Sequence, residues 1–118
     1  MLAKPDRLRS PSDFRQVYGR GVSAAGDCLV VYVWLSGRPG QRLGISVNRR
    51  VGKAVTRNLV KRRLREVFRS LADLAPAGAD VVIVARTAAA KADYHKMEKE
   101  MRNLLKSVNS RQKQAARP

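Results

Sequence analysis

Ser46-Val47-Asn48-Arg49-Arg50-Val51-Gly52-Lys53-Ala54-Val55-Thr56-Arg57-Asn58-Leu59-Val60-Lys61-Arg62-Arg63-Leu64-Arg65-Glu66-Val67-Phe68-Arg69 is the stretch that decides the fold. It passes from the end of an alternating run, through a Gly-containing connection, into a segment of helical period. At roughly 100° per residue, Arg57, Lys61, Arg65 and Arg69 step along one side of that helix, with Asn58 and Arg62 beside them. Val60, Leu64, Val67 and Leu71 gather on the opposite side, and Phe68 falls at the boundary. An apolar stripe of this kind anchors a helix on a core, so the basic arc must face outward as a fixed array. Between Arg49 and Arg69 nine Lys or Arg stand against one acid, Glu66, so these 21 residues hold +8 of a net charge of +16. Like charges at i,i+4 weaken a helix by about 0.2–0.5 kcal/mol per pair. A solvated cationic face is the plain alternative, but four stacked cations call for a compensating partner. Phosphate fits, because neutralised phosphates release counterions and supply the sequence-independent part of nucleic-acid affinity.

Working outward, residues 1–9 are polar and basic and read as a flexible arm. Ser10-Pro11-Ser12-Asp13 then supplies a helix start, with Ser10 as N-cap, Pro11 at the first helical position and Asp13 against the positive end of the dipole. Phe14, Val17 and Tyr18 follow on one face, and Gly19 with Gly21 ends the short helix. From Asp27 to Leu35 the run is β-branched and aromatic, as expected of a central strand. The turn Ser36–Gly40 leads to residues 42–48, where Leu43, Ile45 and Val47 alternate as in a half-buried strand paired with the first in a hairpin. The basic helix should run to about Ala75, where Pro76-Ala77-Gly78 stops it. Residues 79–85 are apolar on both faces and short, which places them in the sheet interior. Tyr94, Met97, Met101, Leu104, Leu105 and Val108 recur at helical spacing and define a closing amphipathic helix, with the methionines as core filler. Residues 109–118 are polar and basic and read as a disordered tail. The order helix, strands, helix, strand, helix describes one α+β domain over 1–118, a two-layer sandwich of helices on a sheet.

Composition narrows the chemistry. A chain of 118 residues with 44% hydrophobic content supports one modest core. The sequence pI near 11.4 concerns partners more than fold. No apolar run approaches the roughly 18 residues of a membrane span, and the N-terminus lacks the apolar core of a signal peptide. The single cysteine, Cys28, cannot form an intrachain disulfide and reads as a small core residue in a reducing, cytoplasmic setting. One His (His95) and one Cys make no metal cluster and no nucleophile–base pair. Gly52-Lys53 is followed by Ala54, and position 47 is Val, so a Walker loop is absent; Gly19-Arg20-Gly21 leads to no dinucleotide fingerprint. No paired acids lie near the basic helix to hold two metals. The side chains of this protein are therefore expected to serve chemistry performed elsewhere.

The segment Ser46–Val55 running into Arg57-Asn58-Leu59-Val60-Lys61-Arg62-Arg63-Leu64-Arg65-Glu66-Val67-Phe68-Arg69 strongly resembles the signature of the bacterial ribonuclease P protein subunit. Arg7-Leu8-Arg9, Asp13-Phe14-Arg15-Gln16-Val17-Tyr18-Gly19-Arg20-Gly21 and Val81-Val82-Ile83-Val84-Ala85-Arg86 support the resemblance, which covers roughly residues 4–108. Where the family's helix usually reads Arg-Asn-Arg, this chain has Leu59 in third place, pointing away from the apolar stripe, with Arg63 as the neighbouring candidate for the missing contact. Tyr18 stands where relatives often have Phe.

The resemblance implies a ribosomal protein S5 domain 2-like fold with a left-handed βαβ crossover around the basic helix. It also implies a division of labour, in which a catalytic RNA and its Mg2+ ions hydrolyse the phosphodiester that frees the 5′ leader of precursor tRNA, while the protein positions the substrate. By resemblance, Lys53, Arg57, Asn58, Lys61, Arg62, Arg65 and Arg69 contact the RNA subunit. Phe14, Tyr18 and Tyr32, with Arg49, Arg50 and Arg86, form the leader cleft. Neither a membrane nor a small-molecule substrate is implied. The competing readings are a structural, ribosomal-type RNA binder, a helix-turn-helix DNA binder, which would need two adjacent helices, and a membrane-surface protein, whose helix could not also spend its apolar face on a core.

Overall fold

Alternating and helical segments resolve into five strands and three helices in the computed structural model, which describes residues 6–115. In chain order these are β1 (Asp6–Arg7), α1 (Pro11–Arg20), β2 (Val22–Ala25), β3 (Leu29–Leu35), β4 (Arg42–Val47), α2 (Ala54–Leu71), β5 (Ala79–Ala85) and α3 (Tyr94–Ala115). The strands form one sheet in the order β1-β4-β5-β3-β2. β5 is central, parallel to β4 and antiparallel to β3, the position expected of a strand that is apolar on both faces. On one face Val81 and Ile83 join Leu29, Val31 and Val33 beneath Val60, Leu64, Val67 and Phe68 of α2 and Met97, Met101 and Leu105 of α3. This is the two-layer core of an α+β fold. On the other face Val82 meets Val17 of α1 and Leu8, with Phe14, Tyr32, Trp34 and Val84 packed around them.

The hairpin expected between residues 27–35 and 42–48 does not form, because β5 lies between β3 and β4. Ile83 of β5 pairs with Val31 on one side and Ile45 on the other. Two interstrand steps amount to roughly 10 Å, which the six-residue connection 36–41 spans easily. The strand with most apolar area to bury takes the centre. The true hairpin joins β2 to β3, with Val22 opposite Val33 and Ala25 opposite Val30. β2 is short and made mostly of small residues, Val22-Ser23-Ala24-Ala25, so little in its pattern announces a strand.

A carboxylate from the far end of the chain closes that hairpin. Glu100 of α3 accepts the backbone N–H groups of Asp27, Cys28 and Leu29 at 3.0, 2.8 and 2.8 Å. A Cβ on Gly26 would lie 2.6 Å from the same carboxyl carbon, so a larger residue there would push the Glu100 carboxylate away from these donors. Burial pushes the Cys28 thiol above its ordinary pKa, and the neighbouring Glu100 charge adds to the effect. Glu100→Ala strands up to three donors and is expected to cost about 2–3 kcal/mol. Urea unfolding should show this as a lower midpoint at unchanged slope.

Three further expectations change. Asp6–Arg7 pairs in parallel with Arg42–Leu43, Leu8 donates its N–H to the Leu43 carbonyl at 3.0 Å, and the Leu8 side chain is buried. The described part of the expected arm is thus a sheet edge, fixed because Leu8 has an apolar site to fill; residues 1–5 lie outside the described residues. At the other end α3 continues through Ala115 in place of the expected disordered tail, and 116–118 lie outside the described residues. Finally, α2 ends at Leu71 and tightens into a 3-10 turn over Ala72–Leu74. Phe68, placed by the wheel at the boundary, is fully buried, since α2 packs on both the sheet and α3 and so buries a wider arc than one stripe.

Candidate nucleic-acid interface

The basic arc of α2 is built on its buried face. With Val60, Leu64, Val67, Phe68 and Leu71 inside, Lys53, Asn58, Arg62 and Arg69 are exposed, and Arg57, Lys61 and Arg65 are half-buried. From Lys53 to Arg69 the array extends about 24 Å at 1.5 Å per residue. None of these cations forms an ion pair among the described residues, where ion pairs involve only Arg42 and Arg102. Arg57 Nε is buried without a hydrogen-bond partner. Lys53 caps α2 with no side-chain hydrogen bond, and the first turn carries no acid. Cations at the positive end of a helix are unfavourable by roughly 0.3–1 kcal/mol each, and that end is a ready anion site. Arg63 differs from its neighbours, because its Nη1 donates to the Ala92 carbonyl at 3.4 Å. Its guanidinium is turned toward the segment before α3, so it does not stand in for the cation missing at half-buried Leu59.

The second set of residues is assembled by α1. Ser10 Oγ accepts the N–H groups of Ser12 and Asp13, as its capping role requires. Val17 is the fully buried anchor. Phe14 rests over Gly44 of β4, where an added Cβ would lie 2.7 Å from the ring. Tyr18 lies 6.3 Å from Phe14 and 4.9 Å, edge-on, from Tyr32 of β3. The three expected aromatic residues therefore meet in one patch, with Tyr18 40% exposed. Burial raises the Tyr18 hydroxyl above its ordinary pKa, opposed by the nearby Ser46 side chain. Ser46 lies on β4 two residues before Asn48, so Tyr18 is close to that strand. A fourth aromatic belongs nearby and was not anticipated: Arg20 lies 5.7 Å over the Trp34 ring. Trp34 sits two residues after Tyr32 on one strand, so strand alternation alone could have placed it on the same face.

The basic residues of the expected cleft occupy one end of the sheet. Asn48 Oδ1 accepts the Arg50 N–H at 2.8 Å and caps a 3-10 turn, Arg49–Val51, on which Arg49 and Arg50 are exposed. Gly52 follows at φ +156° with Thr56 3.0 Å from any added Cβ, a conformation that favours glycine. Exposed Arg86 leaves the end of β5, its Nη1 donating to the Gly26 carbonyl at 3.0 Å. Because β4 and β5 are parallel neighbours, Arg49, Arg50, Lys53 and Arg86 all follow the C-terminal ends of the same strand pair. The Tyr18–Ser46 contact brings the aromatic patch up to that end.

Among the described residues there is no group of three or more His, Cys, Asp or Glu that could hold a metal ion, and no helix is long and apolar enough to cross a membrane.

Comparison with known proteins completes the picture. The family model described as Ribonuclease P matches residues 2–109. The ribonuclease P protein component of Caldanaerobacter subterraneus subsp. tengcongensis is 40% identical over 108 residues, covering 92% of this chain and 93% of that relative. Among solved structures, the Staphylococcus aureus RNase P protein superposes with a TM-score of 0.78 at 31% identity, covering 90% of this chain and 95% of that one. The Thermotoga maritima RNase P protein gives a TM-score of 0.77 at 34% identity, covering 87% and 97%. These folds agree with the S5 domain 2-like class.

Proposed function

The chain belongs to the ribonuclease P protein family, and on that premise we propose that it is the protein subunit of a ribonucleoprotein endonuclease that removes the 5′ leader of precursor tRNA. The catalytic RNA docks on Lys53, Arg57, Asn58, Lys61, Arg62, Arg65 and Arg69. The leader lies against Phe14, Tyr18 and Tyr32, with Arg49, Arg50 and Arg86 along its backbone. The observation that carries this reading is the aromatic patch of α1 and β3 set against β4, which leads through the exposed Arg49–Arg50 turn into an unneutralised basic helix. Aromatic faces stack on bases at about 1–3 kcal/mol each without demanding a sequence, and cations track the phosphates. A leader that differs from one tRNA to the next needs that tolerance. In this reading Mg2+ is held by the RNA, where it supplies metal-assisted hydrolysis of the phosphodiester; the protein orients the substrate and offsets phosphate repulsion. The complex works in the cytoplasm.

Reconstitution with the catalytic RNA of the same organism tests the proposal. Restored cleavage of precursor tRNA at low Mg2+ is the expected result; no stimulation, together with copurification on ribosomes, would favour a structural RNA-binding role instead. The cleft has its own test. Replacing Phe14 and Tyr18 by Ala should weaken binding of precursor tRNA to the reconstituted complex by roughly tenfold or more, with little change for mature tRNA. Equal losses for both would refute a leader site.

A further inference from the structure

Beside the last turns of α2, the helix, β4 and the residues of β1 and its continuation enclose a recess of about 140 Å3 lined by Arg7, Leu8, Leu43, Ile45, Arg65, Phe68 and Arg69. Its floor is apolar, its rim holds three guanidinium groups, and no carboxylate lines it. None of the three arginines makes a side-chain hydrogen bond or ion pair among the described residues. The volume is several times the roughly 30 Å3 share of one water, and it is close to the ~150 Å3 apolar cavity that accepts a single benzene ring. It is also well below the roughly 300–1,000 Å3 of sites for drug-sized ligands. One flat ring fits, and the rim requires that the ring be attached to anionic groups.

We propose that this recess takes a single unstacked base of the RNA that α2 docks, with the flanking phosphates held by Arg7, Arg65 and Arg69. Single-stranded bases splayed out of RNA are recognised in this way, by apolar or guanidinium surfaces against the ring and cations on the backbone. The inference rests on the reading of α2 as the docking face for a catalytic RNA. It adds a discrete pocket to what is otherwise a surface of point charges. The phosphate contacts of α2 fix position without reading a nucleotide, whereas a pocket for one base sets the register of the helix along the RNA.

Base-deletion interference on the full-length catalytic RNA of the same organism tests it. RNA carrying scattered abasic positions is partitioned by binding to the wild-type protein, to Ile45→Trp, which fills the recess, and to Arg7→Ala, which trims its exposed rim without touching the core. Wild type should select against base loss at one unpaired nucleotide. In Ile45→Trp that position should become neutral and overall affinity fall about tenfold; Arg7→Ala should weaken the selection at the same position. Selection against no single base, or the same interference in Ile45→Trp as in wild type, would overturn the pocket while leaving the docking face intact. Should Ile45→Trp fail to fold, the wild-type and Arg7→Ala profiles decide alone. Adenosine or uridine monophosphate serves as the free-ligand control. Tight mononucleotide binding without interference in the RNA would assign the recess to a free nucleotide and overturn the proposal. Failure of the wild-type protein to bind the RNA at all would remove the docking reading as well.

Discussion

Replacing Arg57, Lys61 and Arg65 together by Ala is expected to weaken binding of the catalytic RNA by on the order of 10²-fold at moderate salt, and to flatten the salt dependence. Each phosphate contact contributes about 0.7–0.9 to the slope of log affinity against log salt, so three lost contacts should lower it by about 2–3. Between 50 and 200 mM salt the wild type should thus lose roughly 20–40-fold more affinity than the variant. Stability should move the other way. The substitutions remove three like-charge pairs at i,i+4 within α2, Arg57–Lys61, Lys61–Arg65 and Arg65–Arg69, worth about 0.2–0.5 kcal/mol each, and Ala is the best helix former. They also remove the buried, unpartnered Nε of Arg57. A variant that melts at or above the wild-type temperature while losing RNA affinity separates docking from folding. Unchanged affinity and slope would exclude the basic arc as the RNA-binding face.

Asp80→Ala is expected to be the most destabilising single substitution on the sheet. Asp80 is fully buried on central β5 and accepts two hydrogen bonds from Arg42 of β4, from Nε at 2.8 Å and Nη2 at 2.6 Å. Arg42 Nη1 also reaches Asp13 of α1 at 3.3 Å. Loss of Asp80 leaves the Arg42 guanidinium, itself 13% exposed, with its weaker partner alone. Breaking a buried pair in this way costs about 3–5 kcal/mol, a large share of the roughly 5–15 kcal/mol that holds a domain together. Loss of its proton offers Arg42 no relief, because a guanidinium stays protonated at any working pH; in the wild type the bonds to Asp80 raise it further above its ordinary pKa despite burial. A raised cation pKa gives stability that is complete below the unfolded value and lost only as pH climbs through the folded one, above any working range. Urea unfolding measures the loss, and the paired change Arg42→Met with Asp80→Leu should recover much of it. A loss below 1 kcal/mol for Asp80→Ala would mean that this buried pair contributes little to the stability of the sheet. Asp13 sits one residue before Phe14, so this network also sets where the aromatic patch lies.

Asp80 marks the boundary of what could be read in advance. In sequence it is one acid in an apolar strand; its meaning depends on Arg42, 38 residues away. The basic helix was legible because its charges and its anchor both repeat every three to four residues. Ser10, Pro11 and Asp13 announced α1 by local capping chemistry. The aromatic residues were visible as candidates, yet only the packing of α1 over Gly44 brings Tyr18 against Tyr32. The recess beside Phe68 left no sequence signature, since its seven lining residues come from β1 and its continuation, β4 and α2.

The sequence by itself determined the central basic helix, the apolar β5 and the caps of α1, because each depends on residues within a turn or two of one another. The tertiary structure decided the strand order, the pairing of β2, the burial of Phe68 and the neighbours of Asp80. β3, β4 and β5 all read as strands, so local pattern cannot choose among their pairings. That choice falls to whichever arrangement buries both faces of β5 and still pairs its one charge.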